Sequence, residues 1–131
     1  MTDFSARFVS GVETPTLARH QLDRWLPASL GEGDRGALRL LVSELVTNCV
    51  RHAKVTGDAP VELAVRVAGG TIRVEVHDGG TGFTAPRTPR PRGADGGYGL
   101  YLVERMATRW GVDTRVGTRV WFELDLAQAA G

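Results

Sequence analysis

The sequence predicts a two-layer α/β sandwich: a mixed, largely antiparallel sheet covered on one face by about three helices. Apolar residues recur at spacings of three and four over 14–26, 38–53 and 100–110, the period of a helix with one buried stripe. They recur at a spacing of two from Val61 to Val76 and again from Val112 to Leu126, the period of a strand with one buried face. The alternate strand positions are mostly polar, so one face of the sheet is wet and the helices cover the other.

In chain order, Phe4, Ala6 and Phe8 alternate with Ser5 and Arg7, which predicts a first strand. Thr14 before Pro15 reads as an N-cap and first helical residue, opening a helix with Ala18, Leu22, Trp25 and Leu26 on one side and a stop at Pro27. After a short linker Asp34 reads as the cap of the second helix, whose region closes with Gly57 to Pro60. Val61, Leu63, Val65 and Val67 then face one way, Gly69-Gly70 turns the chain, and Ile72, Val74 and Val76 complete a hairpin. The periodicity lapses until Gly97, and the stretch from Thr84 to Asp95, with three prolines and three arginines, reads as a mobile loop, either a disordered connection or a lid. A third helix follows, with Val103, Met106, Ala107 and Trp110 on one face and its end at Gly111. A second hairpin closes the chain: Val112 to Val116, a tight turn at Gly117-Thr118, then Val120, Phe122, Leu124 and Leu126 inward.

With 131 residues and 42% of them hydrophobic, the chain is long enough for one core and reads as a single domain, 1–131. No apolar run approaches the length of a membrane span and no secretory signal opens the sequence, so a cytoplasmic protein with no membrane partner is expected. One cysteine excludes an internal disulfide or a cysteine metal cluster, and Cys49 falls on an apolar stripe, where a small buried hydrophobe fits. A net charge of +1 argues against direct nucleic-acid binding through phosphates.

Two polar positions interrupt the apolar run from Leu38 to Ala53. Glu44 and Asn48 stand one helical turn apart along one edge of the stripe formed by Leu38, Leu41, Val42, Leu45 and Cys49. Asp78 follows three apolar residues onto the inward side of its strand, where a carboxylate is costly without a ligand or fixed donors. His77 has the outward parity and reads as a solvated imidazole. Gly97 and Gly99, just before a helix N-terminus, suit close approach of an anion to free backbone N–H groups.

The order Glu44-x-x-x-Asn48, Asp78-x-Gly80-x-Gly82, Gly97-x-Gly99-Leu100 and Gly117-Thr118 before a strand resembles the four boxes of the ATPase superfamily of gyrase, heat-shock protein 90, histidine kinases and MutL. The strings SELVTNCVRHA, HDGGTGF, GYGLYLVERMATRWGV and TRVWFEL are most similar to its small stand-alone branch, the anti-sigma factor serine/threonine kinases. The resemblance implies a Bergerat-like fold holding ATP and Mg²⁺. It implies that Asp78 accepts a hydrogen bond from the adenine amino group, that Asn48 holds the metal and that Glu44 serves the attacking hydroxyl as the catalytic carboxylate. Gly80 and Gly82 would admit the base, with Gly97, Gly99, Leu100 and Thr118 completing the nucleotide contacts. The partners it implies are an anti-sigma antagonist protein as substrate, a sigma factor as client, and a homodimer. The rival reading is a nucleotide-bound module that sequesters a partner and transfers nothing. A phosphate-loop NTPase is excluded for want of a glycine-rich loop ending in lysine before Ser or Thr.

Overall fold

The computed structural model describes residues 2–9, 11–56, 60–78, 98–113 and 118–126. The elements run β1 (Thr2–Phe8), α1 (Thr14–Trp25), α2 (Glu32–Thr56), β2 (Val61–Ala68), β3 (Thr71–Asp78), α3 (Tyr98–Met106), β4 (Arg109–Asp113) and β5 (Thr118–Asp125). The strands form one sheet in the order β1-β2-β3-β5-β4. Among the described residues every pairing is antiparallel, in keeping with the largely antiparallel sheet expected.

The β2–β3 hairpin turns on two residues with positive φ, Gly69 at 59° and Gly70 at 81°, the pair of left-handed conformations that a type I′ turn requires and glycine adopts without steric cost. Its inward rows, Val61, Leu63 and Val65 with Ile72, Val74 and Val76, are buried, and so are Leu38, Leu41, Val42, Leu45 and Val46 of α2 above them. Ala18 and Leu22 of α1, Val103 of α3 and Phe122 of β5 complete the same core. Each fully buried aliphatic or aromatic side chain contributes about 1.5–3 kcal/mol relative to exposure.

The outer face carries an ionic ladder instead. Arg73 donates to Glu75 at 2.9 Å and to Glu123 at 3.0 Å, and Arg109 donates to Glu123 at 2.6 Å and to Asp125 at 2.5 Å. Hydrogen bonds from Arg109 and then Arg73 hold the Glu123 carboxyl below the usual carboxylate range, and those from Arg109 and Thr71 do the same for Asp125. His77 lies on this face as its parity requires, half-buried, with Nδ1 3.2 Å from Glu62 Oε1.

Four boundaries differ from expectation. Glu13 is the N-cap of α1 and makes no side-chain capping bond, while Thr14 lies inside the helix. Its hydroxyl serves the preceding loop, accepting from Gly11 N–H at 2.9 Å and donating to the Val9 carbonyl at 2.8 Å. α2 starts three residues early, at Glu32, so Asp34 belongs to its first turn, where a carboxylate suits the helix dipole. α3 ends at Met106, and Trp110 and Gly111 belong to β4. Spacing alone allowed Trp110 to extend the helix, but pairing with β5 prevails: Thr108 N–H already donates to the Glu123 carbonyl at 2.8 Å, and Trp110 sits opposite Phe122. Thr118 is the first residue of β5 rather than half of a turn; Gly117 and the expected strand residues Thr114–Val116 lie outside the described residues.

Candidate functional site

Which way α2 turns its polar edge is settled by its neighbours. Asp23 of α1 accepts from Arg39 at 2.7 Å and pairs with Arg35 at 3.6 Å, which fixes the flank of α2 that meets α1. At 100° per residue Glu44 and Asn48 lie about 140–180° around the helix from those arginines. They therefore line the flank opposite the one that meets α1. Both are half-buried, as groups at the rim of a covered face should be.

Asp78 ends β3 with its side chain toward the helices, and only 2% of the residue is exposed. Its charge reaches α2: the Cys49 thiol is pushed up to about 12, first by burial and then by the Asp78 carboxylate. Cys49 follows Asn48 directly, so the Asp78 carboxylate acts on the turn of α2 that also carries Asn48. On the other side of β3, Thr118 is the Cα partner of Asp78 in β5. Gly99 and Leu100 occupy the first turn of α3, where backbone N–H groups have no helical acceptor.

The fold thus sets Asp78 beside the backbone of Thr118 and within electrostatic reach of Cys49, on the turn of α2 that carries Asn48, with Glu44 one turn away along that helix. Gly80, Gly82, Gly97 and the expected lid from Thr84 to Asp95 lie outside the described residues. Reading by periodicity assigned Cys49 to packing alone; its nearness to Asp78 has no signal in helical spacing, because it depends on how α2 lies over the sheet.

Among the described residues no cluster of three or more His, Cys, Asp or Glu side chains could hold a metal ion. The single carboxamide oxygen of Asn48 is a hard donor of the kind Mg²⁺ accepts, since Mg²⁺ keeps much of its water and takes one or two protein oxygens beside the phosphates of a nucleotide. A buried carboxylate at a strand end likewise fits a base bearing an amino group.

The family model of the histidine kinase-like ATPase domain matches residues 9–124. The chain belongs to that family. Membership in a histidine kinase-like ATPase family implies ATP binding. The fold is similar to that of the RsbU and RsbW domains of Rv1364c from Mycobacterium tuberculosis, with a TM-score of 0.75, 20% identity and 99% of this chain covered. The chain spans 33% of that longer chain. No curated protein sequence matches it. Among the described residues no helix of this ATPase domain is long and apolar enough to cross a membrane.

Proposed function

We propose that this ATPase domain is a regulatory serine/threonine protein kinase of the anti-sigma type, which phosphorylates an antagonist protein in the cytoplasm and has a sigma factor as its client. The observation that carries the reading is the buried Asp78 carboxylate beneath the turn of α2 that bears Asn48, one turn from Glu44. The likeness to a structure that contains an RsbW domain supports the choice of branch.

In this reading Asp78 accepts a hydrogen bond from the adenine amino group, with Gly80, Gly82 and Thr118 around the base. Asn48 would hold Mg²⁺, which would neutralise charge on the phosphates. Gly97, Gly99 and Leu100 offer backbone N–H groups to those phosphates at the start of α3. Glu44 orients the incoming hydroxyl and accepts its proton, the task of a carboxylate in phosphoryl transfer.

The test is transfer of labelled γ-phosphate from ATP to candidate antagonist proteins, with nucleotide affinity measured in parallel. Glu44→Gln should keep ATP binding nearly intact and slow transfer roughly 10²- to 10⁴-fold. Transfer by the variant at the wild-type rate would remove Glu44 from the mechanism. ATP binding with no transfer by the wild type to any candidate would favour the sequestering module.

A further inference from the structure

Leu40 is 41% exposed, although Leu38, Leu41 and Val42 beside it on α2 are fully buried. At about 100° per residue it stands one turn before Glu44 and about 40° around the helix from it, and Glu44 stands in the same relation to Asn48. The three side chains therefore form one ridge. It begins in solvent at Leu40 and descends through Glu44 and Asn48, both half-buried, toward the covered face.

The side of a surface helix that turns away from the core is ordinarily charged. Around Leu40 it is not. Between Gly33 and Glu44 the positions within about 60° of Leu40 are Gly33, Gly36, Ala37, Ser43 and Glu44, and Glu44 is the one charge among them. The basic side chains of the same turns are drawn to the α1 flank: Arg35 donates to the Pro27 carbonyl at 2.6 Å and pairs with Asp23, and Arg39 donates to Asp23 at 2.7 Å. Gly36 lies inside the helix, where glycine is disfavoured, yet a Cβ there would meet nothing within 4 Å, so internal packing does not require it. Helical side chains lean toward the N-terminus, so Leu40 lies over the turn of Gly36 and Ala37, which offers little to cover it.

We propose that Leu40 is the docking contact for the acceptor protein, a role that rests on the kinase reading of Glu44. Leu40 takes an aliphatic side chain about two residues from the phosphorylated serine or threonine, on an uncharged segment whose main chain passes over Gly36. The order along the ridge selects this occupant. In the kinase reading Asn48 faces the metal and phosphates and Glu44 faces the incoming hydroxyl, so the acceptor has to continue in the remaining direction, toward Leu40. One step of the ridge is about 6 Å along the helix axis, the length of about two residues of extended chain. A charged acceptor residue at that point would meet no counter-charge, whereas an aliphatic one removes Leu40 from water.

The probes are the candidate antagonist proteins of the transfer assay, used with the full chain. Transfer gives kcat and KM for the antagonist, and calorimetry with a non-hydrolysable ATP analogue and Mg²⁺ gives its Kd without needing transfer. Leu40→Arg should raise KM and Kd about tenfold or more while kcat moves by less than about twofold. Leu40→Met, which stays apolar at nearly the same volume, should remain within about threefold of wild type. Gly36→Gln sets a side chain in the path of the docked segment and should also raise KM and Kd about tenfold, and since glutamine favours a helix over glycine, that loss is not unfolding. Glu44→Gln should do the reverse, lowering kcat and leaving Kd in place, so a failure of the chemistry and a failure of the docking separate. A wild type that binds an antagonist without transferring phosphate would remove the kinase reading, and the dependence of Kd on Leu40 would still decide the docking site. Unchanged KM and Kd in either Leu40→Arg or Gly36→Gln, a loss in Leu40→Met equal to that in Leu40→Arg, an equal fall in ATP affinity in Leu40→Arg, or a wild type that binds none of the candidates would each overturn it.

Discussion

At the residue scale the Asp78–Cys49 neighbourhood links fold to site. Asp78 is buried without being in the hydrophobic core, and the inward parity of β3 was enough to single it out, since parity of period two is set by the backbone. Cys49 shows what parity leaves out. Its pKa rises from 9.0 to about 12, first through burial and then through the Asp78 carboxylate, so the thiol stays protonated in the folded protein at neutral pH. The stability that goes with the neutral thiol is fully present below the unfolded pKa near 9.0 and is lost as pH rises through about 12. Such a shift makes the thiolate fraction at pH 8 roughly 10³-fold smaller than in the unfolded chain. Alkylation by iodoacetamide, followed by mass spectrometry, should accordingly be slow in the folded protein and should speed up on denaturation. It should also still climb between pH 9 and 11 in the folded state, where an unperturbed thiol would level off. A plateau near pH 9 would show that Asp78 and burial do not act on Cys49.

At the element scale the hairpins and α2 were legible because their residues repeat one period for several turns or pleats, and each local preference agrees with the final packing. The end of α3 was not. Val103, Met106, Ala107 and Trp110 satisfy helical spacing, yet Met106 is 36% exposed and Trp110 lies on a strand, because β5 offers backbone partners that an extended helix would leave unpaired. β4 also has a requirement of its own at Gly111, the register partner of Trp121. A Cβ at Gly111 would lie 2.6 Å from Trp121 Nε1 and 2.8 Å from Cε2, and the same indole holds the Arg73 guanidinium 4.2 Å from its ring centroid. Gly111→Ala must therefore displace an indole that anchors part of the outer ladder. Overpacking of this kind costs about 1–3 kcal/mol, which a shift of the urea midpoint would register. An unchanged midpoint would mean that Trp121 moves aside freely. The site glycines that spacing singled out at 80, 82 and 97 belong to a stretch without apolar period, where resemblance and not periodicity carries the reading.

At the scale of the whole molecule, the candidate site is assembled from parts far apart in sequence. α2 supplies Glu44 and Asn48, β3 supplies Asp78, β5 supplies Thr118, and α3 supplies the turn at Gly99 and Leu100. None of these positions exists as a site in the unfolded chain, so a nucleotide that binds there stabilises the folded state by mass action. At an ATP concentration about 100 times its Kd the gain is about 2.7 kcal/mol. Asp78→Asn keeps the size of the side chain but replaces the charged acceptor proposed for the adenine amino group, and loss of a hydrogen bond to a charged group costs about 1.5–3 kcal/mol of binding. With Kd raised roughly 100-fold, the same ATP concentration would add only about 0.4 kcal/mol. Thermal unfolding of both proteins with and without ATP and Mg²⁺ should therefore show a clear rise of the midpoint in the wild type and almost none in Asp78→Asn. The comparison is made within each protein, so any effect of the substitution on the fold itself cancels. An equal rise in both would move adenine recognition away from Asp78, and no rise in either would remove the nucleotide site from this face of the fold.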